Sequence, residues 1–340
     1  MPENAWPNDI FIVDTEAHPL GEYREDIGYF PPLARSQRHM IRSRVQEHGS
    51  AHRARHSPDM AWGDDVGDAC VHDMDLGGVD IAWCSRHDLR DSAGGYPVST
   101  NGQMFELCQK HPDRLFFTAN LGQVVKRGLK DSLWELDYWV KEQGCRIIKY
   151  YCPDDVPIND ERLWPFWARC QELDVIVCMH IGPSFTIPQQ SLNGHPLHLE
   201  EVCNAFPDMR IVAYHLGRMW YRECILMMQK YDNLYGTISA WIDSLLVRAP
   251  WQAHQIIGEA LREGLEDKLM WGSEWGRKTH AVGIPAVLDF SGMPDDMARG
   301  WGAPPITMEF KRKLLGLNAA KLLGIELVKR AKPAGEMVTA

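Results

Sequence analysis

Ile10-Phe11-Ile12-Val13-Asp14-Thr15-Glu16-Ala17-His18 runs from an unbroken apolar stretch into side chains that carry protons or bind metals. The run predicts a strand over Ile10 to Asp14, and because alternate side chains of a strand share one face, Glu16 and His18 should project together where it ends. On the same alternation Asp14 lies one step deeper on that face. A lone Glu-x-His triplet is a weak signal, so its weight depends on what stands further along the chain.

Outward from this segment, short apolar runs alternate with stretches of helical period, the signature of βα units around a parallel sheet. Further strands are predicted at Ile81 to Ser85, Leu115 to Leu121, Cys145 to Tyr151, Val175 to Ile181, Arg210 to Leu216, Leu234 to Ala240 and Lys268 to Glu274. Between them Leu129, Leu133, Leu136 and Val140 share one helical face, as do Leu163, Phe166, Trp167 and Cys170. Asp131 and Asp160 stand where helix N-caps are useful. Eight such repeats predict an α/β fold, a (β/α)8 TIM barrel. A doubly wound open sheet is the alternative, but no Gly-x-Gly-x-x-Gly follows the first strand. Residues 20–65 are too long for a simple loop and predict a helical insertion after strand 1 that caps the mouth. A second insertion runs from Phe185 to His198. The whole chain, 1–340, reads as one domain ending in a frayed tail from Ala331 to Ala340.

Composition narrows the function. The chain has 340 residues, is 45% hydrophobic and contains 13 Trp, which fits a well-buried globular protein. A formal charge of −10 argues against nucleic acid or an anionic membrane as partner. The basic stretch from Arg35 to His56 reads more simply as a solvated face or subunit contact than as a polyanion site. Nine cysteines without a Cys-x-x-Cys pair read as reduced thiols. No apolar run reaches the ~20 residues of a membrane helix, and the start is polar, so a cytoplasmic protein is expected.

In a barrel of this kind the chemistry sits at the C-terminal strand ends. Strand one ends in Glu16 and His18, strand five in His180, strand six in His215 and strand eight in Glu274. Each alone has a structural reading, such as a buried histidine bonded to a carbonyl or a carboxylate capping a turn. Together they predict a site for one divalent ion with mixed nitrogen and oxygen preference, Zn, Mn or Fe.

These residues resemble a family. Asp14-x-Glu16-x-His18, Met179-His180-Ile181-Gly182-Pro183, Tyr214-His215-Leu216-Gly217, Trp271-Gly272-Ser273-Glu274-Trp275 and Leu317-Asn318-Ala319-Ala320-Lys321-Leu322-Leu323-Gly324 are together similar to the amidohydrolase-related decarboxylases. That group includes the aminocarboxymuconate-semialdehyde, gamma-resorcylate and 5-carboxyvanillate decarboxylases. Asp73 to Asp80 and His111 to Leu115 extend the likeness, which spans nearly the whole chain. The resemblance implies a metal held by Glu16, His18, His180 and Glu274, with His215 facing the substrate. One departure is the strand-eight motif, which reads Gly-Ser-Glu where the family usually has Gly-Ser-Asp.

The expected activity is a metal-dependent carbon–carbon lyase, the non-oxidative decarboxylation of a hydroxylated aromatic or related unsaturated carboxylic acid. No fingerprint of an organic cofactor is present, so the substrate itself must accept the electrons left as CO2 departs. Glu274 or His215 would deliver the proton, with Asp14 as a like-charged neighbour keeping the acid neutral. The alternative is a hydrolase using a metal-activated water on an ester, thioester, amide or C–C bond, with Lys149 as a carbamate bridging two metals. Arg24, Arg90, Lys149 and Arg218 are candidate contacts for the substrate carboxylate. Trp220, Trp241, Trp271 and Trp275 are candidates to line an aromatic pocket. The expected partner is a small carboxylic acid, and the default assembly is a homodimer.

Overall fold

The computed structural model describes residues 9–19, 66–86, 99–184, 189–274 and 280–331. Eight strands form one parallel sheet in chain order: β1 Val13–Ala17, β2 Ile81–Ser85, β3 Leu115–Asn120, β4 Ile147–Tyr150, β5 Ile176–His180, β6 Arg210–Tyr214, β7 Leu234–Thr237 and β8 Leu269–Met270. The sheet bends round until its ends meet. Thr15 N–H donates to Trp271 O at 3.2 Å, and Glu274 N–H donates to Glu16 O at 2.8 Å, so the segment after β8 is stitched to β1 and the TIM barrel closes. The strands fall where the sequence places them. β8 is much shorter than expected, ending at Met270, and the β1 ladder begins at Val13 and carries on through Ala17.

Strand alternation divides the apolar residues into two cores. Phe11, Val13, Ile81, Trp83, Ile147, Ile176, Cys178, Val212, Tyr214 and Met270 fill the barrel interior. Ile12, Ala17, Ala82, Cys84, Ile148, Tyr150, Val177 and Ala213 face outward against the helices. The short helix Asn318–Leu323 places Ala319, Leu322 and Leu323 against the interior cluster, sealing the end opposite the C-terminal strand ends. Asn318 fixes it there by donating to the carbonyls of Glu266 and Leu269.

The helical faces read from sequence pack as expected, with Leu136, Leu163, Phe166, Trp167 and Cys170 fully buried. Asp160 caps the turn Glu161–Leu163. Asp131 does not cap. It lies inside the helix Leu129–Asp137, whose N-cap position is taken by Gly128, because Gly128 with φ 114° turns the chain three residues earlier. All nine cysteines are free and buried. The cap 20–65, with Arg24 and the basic stretch, and Arg90, Trp275 and 332–340 lie outside the described residues. Ala331, the first residue of the expected tail, is held by its N–H donating to Asp80 Oδ1 at 2.9 Å. Among the described residues no helix is long and apolar enough to cross a membrane.

Candidate active site at the barrel mouth

The site is set by which way each strand end points. Val13 faces the barrel interior and Ala17 faces the helices, yet β1 pairs Asp14 with Ala82 and Ala17 with Cys84, three steps against two. One residue is therefore extra, and this β-bulge reverses the alternation. Glu16 and His18 turn inward together as predicted. Asp14 does not share their face, which corrects the sequence reading. It points outward, toward Ser273 and His280.

Asp14 does something else. Its Oδ1 accepts from Ser273 N–H at 2.8 Å and Glu16 N–H at 3.1 Å, while Oδ2 accepts from Ser273 Oγ at 2.5 Å. His280, from the helix His280–Asp289, places Nε2 at 2.8 Å from the same Oδ2 and Nδ1 at 2.9 Å from Asp73. Burial disfavours a charged imidazole, but the bonds to Asp14 and Asp73 outweigh it and hold His280 at about 9. One carboxylate thus grips the backbone beside both acidic site residues. Sequence reasoning missed His280, because nothing local marks it: its partners lie 266 and 207 positions away.

Inside the mouth, Lys149 Nζ is 2.9 Å from Glu16 Oε1 and 3.2 Å from His18 Nε2. His18 Nδ1 is 2.8 Å from Ser85 O, which orients Nε2 toward the site. His215 bridges several groups: Nε2 lies 3.1 Å from His180 Nδ1 and 3.8 Å from Glu274 Oε1, and Nδ1 lies 3.5 Å from Glu16 Oε2. Ser239 Oγ, 3.0 Å from His215 Nδ1 and 2.9 Å from Thr237 Oγ1, fixes the ring from behind.

Alternation alone would turn His215 outward, since Tyr214 beside it is an interior residue. Its φ of 66° re-aims it, and Glu274 at φ 54° is likewise left-handed. Such backbone is uncommon outside glycine and concentrates at functional sites. Gly272 leaves close space beside them. A Cβ there would stand 3.2 Å from Glu16 Cβ and 3.1 Å from Ser239 Cβ.

The charges follow from burial and neighbours. Burial opposes ionisation of Glu16, but His215, Lys149 and His18 outweigh it and hold the carboxyl well below its ordinary range. Burial, then His215 and Arg218, push His180 well below its usual value, leaving it neutral as a metal ligand must be. Burial dominates at His215 too, prevails over Glu16 and Glu274, and brings it to about 4.

The residues fit a divalent ion. Glu16, His215 and Glu274 each offer a ligand atom within 4.8 Å of the others, and all three are buried. Glu16 Oε2 and His180 Nε2 are buried without a hydrogen-bond partner, as acceptors reserved for a cation would be. Arg218 is buried in the left-handed turn after β6, beside the two histidines whose charge it opposes. The tryptophans fare less well. Trp271 packs among the helices with Nε1 on Asp243, away from the mouth, because it occupies an outward position after β8. Trp241 packs against the helix layer, and Trp220 stacks near His195 with centroids 4.6 Å apart. Among the described residues, Tyr151 places its ring centroid 4.8 Å from that of His180.

A family profile described as Amidohydrolase matches residues 89–325, more than half of the chain. The chain belongs to the amidohydrolase family. No curated protein sequence matches this amidohydrolase. Among solved structures it is similar to an uncharacterised TIM-barrel protein from Bordetella bronchiseptica, at 18% identity and TM-score 0.67, covering 93% of this chain and 99% of that one. It is also similar to a dihydroxybenzoic acid decarboxylase from Polaromonas with bound manganese and the inhibitor 2-nitroresorcinol, at 15% identity and TM-score 0.60, covering 93% and 97%. The manganese-complexed 5-carboxyvanillate decarboxylase of Novosphingobium aromaticivorans matches at 16% identity and TM-score 0.58, covering 94% and 97%. At these identities the likeness establishes the shared barrel.

Proposed function

We propose that this amidohydrolase is a metal-dependent carboxy-lyase acting on a hydroxylated aromatic or related unsaturated carboxylic acid. The observation that carries the reading is the convergence of Glu16, His18, His180, His215 and Glu274 on one buried mouth, with Arg218 beside it. Glu16, His18, His180 and Glu274 would hold the ion. A divalent ion bound there neutralises and orients the carboxylate and phenolate oxygens of the substrate. Zinc, manganese or iron suits the donor set, and manganese is the ion named with two similar decarboxylases.

The protein's part is to place the acid and move one proton. Arg218 would clamp the substrate carboxylate, and Tyr151 offers a ring face to an aromatic substrate. The His215–Glu274 pair would pass a proton to the ring carbon that bears the carboxylate. The C–C bond then breaks, its electron pair restores the aromatic ring, and CO2 leaves. His215 is neutral before substrate enters, so Glu274 is assigned as the proton carrier, with His215 steering it.

The test is CO2 release from a panel of hydroxybenzoates by manganese-loaded protein. Glu274→Gln and His215→Asn should each lower that rate by roughly 10²-fold or more. Turnover of esters or lactones without CO2 would overturn the proposal, and near-normal rates in both variants would remove the assigned roles.

A further inference from the structure

Lys149 is the one lysine that the barrel turns into its own mouth among the described residues. Ile147 two positions earlier is an interior residue, so the alternation of β4 sends Lys149 inward, where it is 2% exposed. Its Nζ faces Glu16 Oε1 at 2.9 Å, His18 Nε2 at 3.2 Å and the Tyr214 ring at 5.1 Å. Oε1 and Nε2 are also donor atoms that a metal at the β1 ligand pair would take, at distances near ~2.1 Å. The two cations therefore draw on the same atoms.

We infer that Lys149 is a resident cation of the site which shares Glu16 and His18 with the divalent ion and sets how tightly that ion is held. This rests on the metal site of the proposed function and not on the reaction assigned to it. Glu16 is buried and its Oε1 lies 2.9 Å from Lys149 Nζ, and a carboxylate in such a place needs a partner whether or not an ion is bound. Lys149 supplies one, which keeps the metal-free fold intact. It satisfies only Oε1, however, and leaves Glu16 Oε2 and His180 Nε2 for an ion that enters alongside. That ion meets the Lys149 amine in a buried pocket, where screening is weak. Its affinity is correspondingly reduced, and the ion becomes exchangeable.

Removing the charge should strengthen metal binding, a gain that mere structural damage does not produce. The experiment is calorimetric titration of manganese(II) into chelator-treated wild type, Lys149→Met, Lys149→Gln and Lys149→Arg, with melting curves alongside. Lys149→Met should bind manganese at least tenfold tighter than wild type. Metal-free, it should melt lower and recover more on adding the ion. Lys149→Gln, which keeps a neutral donor for Glu16, should show the same direction if the Met variant does not fold without metal, and Lys149→Arg should bind no tighter than wild type. If wild type binds one manganese and neither neutral variant binds it more tightly, the inference falls and the metal site stands. If none of the four proteins binds manganese, both fall. CO2 release is not the readout, so failure of the decarboxylase assignment is scored separately.

Discussion

At the scale of single residues, the mouth depends on a side chain that never reaches it. His280 sits between Asp14 and Asp73 with all three buried, and Asp14 in turn holds the backbone of Glu16 and Ser273. The folded-state value of about 9 lies above the ordinary histidine value near 6.5, so the charged imidazole is favoured by folding. Stability from this group is fully present below about 6.5 and is lost as pH rises toward 9, on the order of 3 kcal/mol across that window. Wild type should therefore melt at progressively lower temperature from pH 6.5 to 9. His280→Gln should melt lower than wild type at pH 6.5 and show a flatter profile. Parallel profiles for the two proteins would exclude the charged triad. Neither Asp14 nor His280 can be assigned this role from the sequence, since the bond between them depends on the outward turn of Asp14.

At the scale of elements, two backbone irregularities place the site. The bulge in β1 separates Asp14 from Glu16 and His18, and the left-handed turn after β6 brings His215 back over the mouth. Where strands are regular, alternation read from sequence is right: His180 closes β5 facing inward. Where the chain departs from it, the sequence carries no local sign. Barrel closure has its own element. The turn Lys313–Leu317 lies under the seam, with Leu314 O accepting from Trp271 N–H at 2.9 Å. A Cβ on Gly316 would come within 2.1 Å of Phe11 O, a backbone atom that cannot swing aside. Gly316→Ala should cost about 2–4 kcal/mol, comparable to severe overpacking, and should lower the denaturation midpoint. An unchanged midpoint would mean that the seam tolerates displacement there.

At the scale of the whole molecule, the proposed ion and the fold would be linked, because the proposed ligands come from β1, β5 and the segment after β8. An ion that binds only the closed barrel stabilises it by mass action, about 2.7 kcal/mol at a hundredfold excess over its dissociation constant. Chelator-treated protein should melt lower than protein given manganese(II), and Glu16→Gln should abolish the difference. Equal melting with and without the ion in wild type would count against the metal centre. Number and order of strands, the apolar identity of their residues and the chemical types at their ends were all legible, because each follows from local periodicity that a strand imposes on its own side chains. Which of those ends meet was decided by tertiary structure. Lys149 and Glu16 are 133 positions apart, and Asp14 and Ser273 are 259. Only closure of the barrel, with the extra residue in β1, determines that one carboxylate faces a lysine in the mouth and the other a histidine behind it. The physical reason is that alternation is a property of a single strand, whereas pairing of buried charges is a property of the space the strands enclose.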